Sequence, residues 1–566
     1  MENRHQHASN EPLQPHQRHH PHHFAAREIR QDMDDRRSHH WKSTDTIDSQ
    51  STPTNSIRPS AMAPKLMKMI RVEAPLLREI MAEFLGTFIL VLFGDASVAQ
   101  SKLSNEANGD FFSINWGWAV GVMMGVLVAG GVSGAHLNPA VTLAMACAGR
   151  IALIKVFFYW LAQYLGAFAA AASVLGVYSD AIQYASNGTL TMNNELNDPG
   201  LAGIFATYPA HWLSVAGGLG DQILGTMLLL LCICAITDKK NTQIPSALVP
   251  MYVGFTILGI GVCFGANCGY ALNPARDLSP RLISLIAGWD QSFSWNNYNW
   301  FWIPIVGPHI GAILGVFIYI AFVEAHWPED GDEVVPMTVP RANFNKERGE
   351  KIQNMDMESV MAGVWVAGGV SGAHLNPAMS FALACIGRFQ WRKLPVYWTA
   401  QYIGAFAASS CVFAVYLEAI YYFTGGQFVM TEDDPGFAAV FAPYPSAYLS
   451  TTGAIIDSVV GSALLLLCAC AIVDQQNCRV PLSLFALYMG FLIMALGISF
   501  SMNCGVPVNP ARDLSPRLFT YLVGWGPQVF SYDNWMWFWI PLVIPHFGAT
   551  LGAFIYIIFI EAHWPK

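Results

Sequence analysis

Charge is scarce in this 566-residue chain: 12% of the residues are Asp, Glu, Lys or Arg, 53% are hydrophobic, and the mean hydropathy is +0.36. That balance excludes an ordinary soluble enzyme and fits a polypeptide that crosses a bilayer repeatedly. No basic run is present, so nucleic acid is not an expected partner, and the net charge of −9 carries little weight. The 11 cysteines lie mostly in apolar segments without paired C-x-x-C spacing, which argues for buried thiols over a disulfide scaffold or zinc site. Ahead of Lys65 there is no basic start followed by an apolar core and a small-residue cleavage site, so no cleavable signal peptide is expected. Residues 1 to about 75 hold most of the 16 histidines with Gln, Pro, Ser and Arg and show no apolar period, which predicts a disordered tail. His19, His20, His22 and His23 in that tail are a metal-binding candidate by composition alone. No metal site, cofactor or catalytic group is assigned.

From Ile80 onward the apolar segments come in order, at about 80–98, 111–131, 152–178, 213–236, 246–266 and 300–323. Each suits the roughly 20 residues of a transmembrane helix. Lys65, Lys68, Arg71 and Arg78 precede the first, Arg150 and Lys155 the third, and Lys239 and Lys240 separate the fourth from the fifth, while 179–212 holds no Lys or Arg. The positive-inside bias therefore places the N-terminus in the cytoplasm and the 179–212 loop outside. The glycosylation sequon Asn187-Gly188-Thr189 falls in that outer loop.

Between the second and third spans, and again after the fifth, stand two triplets: Asn138-Pro139-Ala140 and Asn273-Pro274-Ala275, the second continuing into Arg276-Asp277. Asn suits a helix cap and Pro the first helical position, so each triplet starts a helix. The apolar runs that follow are too short to span, which makes them half-helices. Such breaks survive at membrane depth only where protein or a watery cavity surrounds them. Three spans per half invert the second half relative to the first, and the half-helices then approach the midplane from opposite faces. Their N-termini carry partial positive charge that repels cations. Asn138 and Asn273 would offer amide N–H groups to a passing oxygen, interrupting a chain of hydrogen-bonded water.

The paired triplets resemble the signature of the aquaporin, or major intrinsic protein, family, and Asp277 after Asn-Pro-Ala-Arg resembles its aquaglyceroporin branch. The resemblance implies an all-α, six-span inverted-repeat bundle, a homotetramer, and passive passage of glycerol, other small uncharged solutes and water with protons and ions excluded. By the family's spacing the selectivity filter falls on Trp118, Gly261, Tyr270 and Arg276. Gly261 would leave room for a carbon chain, the aromatics would pack its C–H edge, and Arg276 would donate to its hydroxyls. Trp116 is the alternative aromatic should the alignment slip. Glu83 and Gln222, which open corresponding spans, would brace the carbonyls of the half-helix loops. The bland alternative, a polar side chain pointing to water, applies chiefly to Asp221.

After a polar linker at about 329–354 the chain repeats itself with a period of about 237 residues, far longer than the 20–50 of solenoid repeats. Val366 to Ala378 matches Val128 to Ala140 without a difference, and Asn509 to Leu518 matches Asn273 to Leu282. This predicts a complete channel domain at 76–328 and a truncated one at 355–566. The copy holds Asn376-Pro377-Ala378 and Asn509-Pro510-Ala511 with Gly497, Arg512 and Asp513, but Val506 replaces the tyrosine and the filter position at Asp356 falls in the linker. It lacks the first span and most of the second, so ten spans are expected, with both chain ends in the cytoplasm and the plasma membrane as the expected location. Two other classes stay open: an inverted-repeat secondary transporter, which would need intramembrane ionisable residues, and a non-conducting membrane scaffold.

Overall fold

The computed structural model describes residues 69–564, apart from 194–197, 242–243, 328–359, 362, 365–366, 369–370 and 432–433. The histidines of the tail, the linker and Asp356 lie outside the described residues. Most of the described residues are helical. The first copy comprises α1 (Pro75–Leu103), α2 (Phe111–Ser133), α3 (Pro139–Cys147), α4 (Leu153–Val177), α5 (Val215–Thr237), α6 (Val249–Cys268), α7 (Pro274–Ala287) and α8 (Ile303–Phe322). The second comprises α9 (Pro377–Cys385), α10 (Leu394–Thr424), α11 (Thr451–Val473), α12 (Leu482–Cys504), α13 (Pro510–Thr520) and α14 (Ile540–Phe559).

Eight of the described helices are long and apolar enough to cross a membrane: α2, α4, α5, α6, α8, α11, α12 and α14. The remaining long helices, α1 and α10, are more polar. In α1 this reflects Arg78, Glu79, Glu83, Asp95 and Lys102. Local chemistry sets the helix ends. Asp110 and Ser113 close a capping box at the start of α2, and Gly134 ends that helix in the left-handed region at φ 85°. Gly269 and Gly505 do the same for α6 and α12, at φ 72° and 68°. At each half-helix Pro occupies the first turn and the preceding Asn accepts from backbone N–H groups of that turn. The half-helices α3 and α7 have 9 and 14 residues, so at about 1.5 Å per residue neither crosses a 30 Å core.

The inverted repeat is visible in the packing. Gly166 of α4 lies so close to α1 that a Cβ there would stand 2.3 Å from the carbonyl oxygen of Phe84. In the second half Gly311 of α8 meets the carbonyl oxygen of Ile223 at 2.2 Å by the same measure. Phe84 directly follows Glu83 and Ile223 directly follows Gln222, so the third helix of each half packs on the same point of the first. The second copy repeats the contact, with Gly548 of α14 at 2.6 Å from the oxygen of Val459. Small residues let backbones approach in membranes, where dispersion is the main packing force.

Gly311→Ala is therefore expected to destabilise the bundle by about 1–3 kcal/mol through overpacking, lowering the thermal midpoint in detergent. Gly176→Ala, on α4 with open space around it, should be neutral or stabilising by about 1 kcal/mol at most. Equal midpoints for the two variants would contradict the close-packing account.

Candidate functional site: the pore of the first copy

The loops before α3 and α7 meet at the centre of the first copy through a reciprocal pair of hydrogen bonds. The Asn138 amide donates to the carbonyl of Leu272 at 2.9 Å, and the Asn273 amide donates to the carbonyl of Leu137 at 2.8 Å. Each side-chain oxygen meanwhile caps its own helix, on Ala140 N at 2.9 Å and on Ala275 N at 3.0 Å. A carboxamide nitrogen carries two N–H groups, so each asparagine retains one. Both line a cavity that also meets His136, Trp118, Tyr270 and Arg276, with an apolar wall including Leu90, Val122, Val126, Val141, Leu229 and Val253.

Glu83 and Gln222 hold these loops, but by the opposite groups from those expected. Glu83 accepts from the backbone N–H of His136 at 2.9 Å and Leu137 at 2.7 Å, and from Ser133 Oγ and Gln163 Nε2. Gln222 Oε1 accepts from Leu272 N at 3.0 Å. The braced groups are N–H donors rather than carbonyls, because an ionised carboxylate can only accept. Leu137 and Leu272 sit at φ 52° and 51°, a left-handed conformation that turns their N–H groups off any helical ladder and leaves them needing such acceptors. Asp221 does not simply face water: it accepts from Asn267 Nδ2 at 2.9 Å and from the Cys268 thiol at 3.1 Å.

Trp118, Tyr270 and Arg276 line the cavity, and Gly261 lies against the Tyr270 ring. The Arg276 guanidinium lies over the Trp118 ring, 3.8 Å from its centroid, and Gly94 of α1 lets the indole lie flush, since a Cβ there would come within 2.2 Å of the ring. Trp116 is not part of this cluster; its ring stacks on Phe491 of the second copy and meets Phe255 edge-on. The space in front of Gly261 is already occupied: a Cβ there would stand 1.9 Å from Asn115 Oδ1 and 2.7 Å from the Tyr270 ring. Asp277 lies outside the pore lining. Buried completely, it pairs with Arg281, accepts from Thr207 N at 2.9 Å, and so ties α7 to the loop before α5. Asn187 lies on an exposed turn after α4.

Two residues at this cluster were not singled out in the sequence. Asp95 of α1 is fully buried, with Oδ1 3.5 Å from Arg276 and Oδ2 without a hydrogen-bond partner. Its signal was available, since it is the one acidic residue in the apolar run from Phe84 to Ala99 and an ionisable residue inside a span is a functional candidate. Asn115 of α2 donates to Phe111 O at 2.7 Å and leaves Oδ1 unpartnered, as is the Tyr270 hydroxyl. Of these residues Tyr270 lines the cavity, whereas Asp95 and Asn115 are not among its lining residues.

The second copy keeps the centre and loses the surround. Asn376 donates to Val508 O at 2.9 Å and Asn509 to Leu375 O at 3.0 Å, and Asp513 pairs with Arg517 as Asp277 does with Arg281. Ser458 replaces Gln222, and its hydroxyl is buried without a partner. Nothing stands in front of Gly497, Val506 replaces the phenol, and Arg512 is exposed. Leu375 is 39% exposed where Leu137 is 2%.

The family model described as Major intrinsic protein matches residues 70–319 and again 343–556. Aquaporin-10 of Milnesium tardigradum is 43% identical over 305 residues, 52% of this chain and 74% of that protein. Aquaporin-9 of Homo sapiens is 43% identical over 282 residues, 50% of this chain and 92% of that protein. A solved structure, the aquaglyceroporin from Plasmodium falciparum, is 32% identical and covers 43% of this chain and 95% of its own, with a TM-score of 0.39. The chain belongs to the major intrinsic protein family, whose members are channels and not enzymes, and it carries that family's domain twice in tandem.

Proposed function

We propose that the cavity enclosed by α1–α8 conducts glycerol and water while excluding protons and ions, and that the second copy conducts nothing by itself. The observation that carries this reading is the meeting of Trp118, Tyr270 and Arg276 beside the bridged asparagines. A polyol has a C–H edge and a hydroxyl edge; the aromatic rings suit the first, and the guanidinium, with the spare amide N–H groups, suits the second. The half-helix N-termini and Arg276 oppose cations. The filled space before Gly261 makes this a tight filter, which favours linear over branched solutes. The exposed Leu375 and Arg512 and the unbraced loop at Ser458 support a silent second copy. A coupled transporter is not favoured: Glu83, one of its candidate ion sites, is held by four donors. We further read the protein as resident in the plasma membrane with both termini in the cytoplasm.

Stopped-flow light scattering on proteoliposomes of the full chain should report both glycerol and water flux; water flux alone would overturn the glycerol assignment. Gly261→Trp, which drives an indole into Asn115 and Tyr270, should abolish glycerol flux from the whole chain. Residual flux at half the original rate would instead assign conduction to the second copy.

Arg276 supplies a further test. A unit charge at about 4 Å is worth about 1–4 kcal/mol between water-like and protein-like screening. Arg276→Val removes that fixed positive charge from the cavity lining, so cation or proton leak should rise about tenfold or more in a pH-dye liposome assay. Leak at background in the variant would remove Arg276 from the barrier to ions.

A further inference from the structure

On α2, Phe111, Asn115 and Trp118 follow the i, i+4, i+7 spacing of one helical face. Trp118 lines the cavity; Asn115, completely buried, does not. Asn115 instead meets α6. Its Oδ1 stands 1.9 Å from where a Cβ on Gly261 would lie, and the Tyr270 ring stands 2.7 Å from the same point. One turn further along α6 the pattern recurs, with Phe111 at 2.9 Å and Tyr270 at 3.0 Å from the position of a Cβ on Gly265. The two glycines leave a slot in the face of α6, the Tyr270 ring lies against it, and Phe111 and Asn115 occupy the space beside the ring. Because Tyr270 faces the cavity and Asn115 does not, the space that Asn115 fills is the one into which the ring could retreat.

The ring depends on that filling. Tyr270 has a left-handed backbone, φ 36°, which a residue with a Cβ holds only where its surroundings impose it. Its hydroxyl has no hydrogen-bond partner, so among the described residues packing alone sets the ring's position. Asn115 is well anchored by comparison. Its Nδ2 donates to Phe111 O at 2.7 Å, and α2 is held between α1 and α6, with α12 of the second copy also packed against α1 and α2. The second copy shows the slot without the wedge. Counted from the match of Val366 with Val128, the position of Asn115 falls on Gln353 in the polar linker. Among the described residues nothing stands within 4 Å of a Cβ on Gly497, the counterpart of Gly261. The filling in the first copy therefore comes from α2 and not from α6 itself.

We propose that Asn115 is a positioning residue that sets the width of the pore: by filling the space behind Tyr270 it keeps the ring toward the lumen, so glycerol passes and branched polyols do not. This rests on the conduction reading and adds to it the determinant of solute cross-section.

The test is stopped-flow light scattering on proteoliposomes of the full chain, with glycerol and 2-methylglycerol as solutes, which differ by one methyl branch. Asn115→Ala should raise 2-methylglycerol flux relative to glycerol flux by about tenfold or more, the range that one methylene is worth in a fitted apolar pocket, without raising proton leak. Asn115→Leu, with the same number of side-chain heavy atoms, should keep the original ratio. Gly261→Ala collides with Asn115 when made alone, yet added to Asn115→Ala it refills the slot from the other helix and should return the ratio toward that of the unaltered chain. A residue that merely held the fold together would change both fluxes alike. Should Asn115→Ala fail to fold, Asn115→Gln adds length behind the ring and should lower glycerol flux about tenfold relative to water flux; an equal fall in both would overturn the wedge. An unchanged flux ratio in Asn115→Ala, or the same change in Asn115→Leu, would also overturn it. An unaltered chain without glycerol flux would overturn the conduction reading, and glycerol flux then appearing in Asn115→Ala would still support the wedge, whereas its absence there would overturn that too.

Discussion

Two hydrogen bonds at the centre of the first copy, Asn138 to Leu272 O and Asn273 to Leu137 O, set the terms for everything around them. A chain that interrupts its helices at membrane depth must find partners for each freed N–H and C=O, because no lipid group supplies them. The bridge satisfies two carbonyls, the caps satisfy the first N–H groups of α3 and α7, and Glu83 and Gln222 take most of those left in the loops. The close α1–α4 and α5–α8 contacts place those two side chains at the required depth. The pore is thus a by-product of satisfying the break. Once the two loops are pinned, the half-helix N-termini converge, and the remaining amide hydrogens have only the cavity to face.

How much of this could be read from residues depended on whether the signal was local. The spans, the half-helix starts and the glycine stops were legible, because Asn-Pro-Ala and a left-handed Gly act within one turn of chain. Trp118 was legible only through family spacing; nothing intrinsic distinguished it from Trp116, which stacks outside the pore on Phe491. The partners of Glu83 were misassigned although its chemistry pointed to donors. Asn115 could not be found, since its role arises from the approach of α2 to α6 in front of Gly261. The seating of one copy on the other left no local trace at all.

The two copies also differ in which parts of the shared fold they keep. The second copy keeps the paired asparagine bridge and the Asp513–Arg517 tie, both of which hold α13 in place. It has lost the aromatic corner, the phenol and the amide that braces the second loop, all of which bear on the lumen or its immediate support. Parts retained are those that keep α11 and α12 in register to cover α1 and α2.

That covering has a consequence in time. The helix α1 is the most charged of the long helices and among the earliest to leave the ribosome, yet from Ala82 to Ser101 nearly every residue is buried by protein. Some of that protein is α12, and the bond from Ser499 to Phe93 joins residues 406 apart in the chain. At synthesis rates of about 5–20 residues per second, α1 waits about 20–80 s for its final neighbour. During that interval α1 has its neighbours from the first copy, α2, α4 and Arg276 of α7, while the side that the second copy later covers is left to other surroundings.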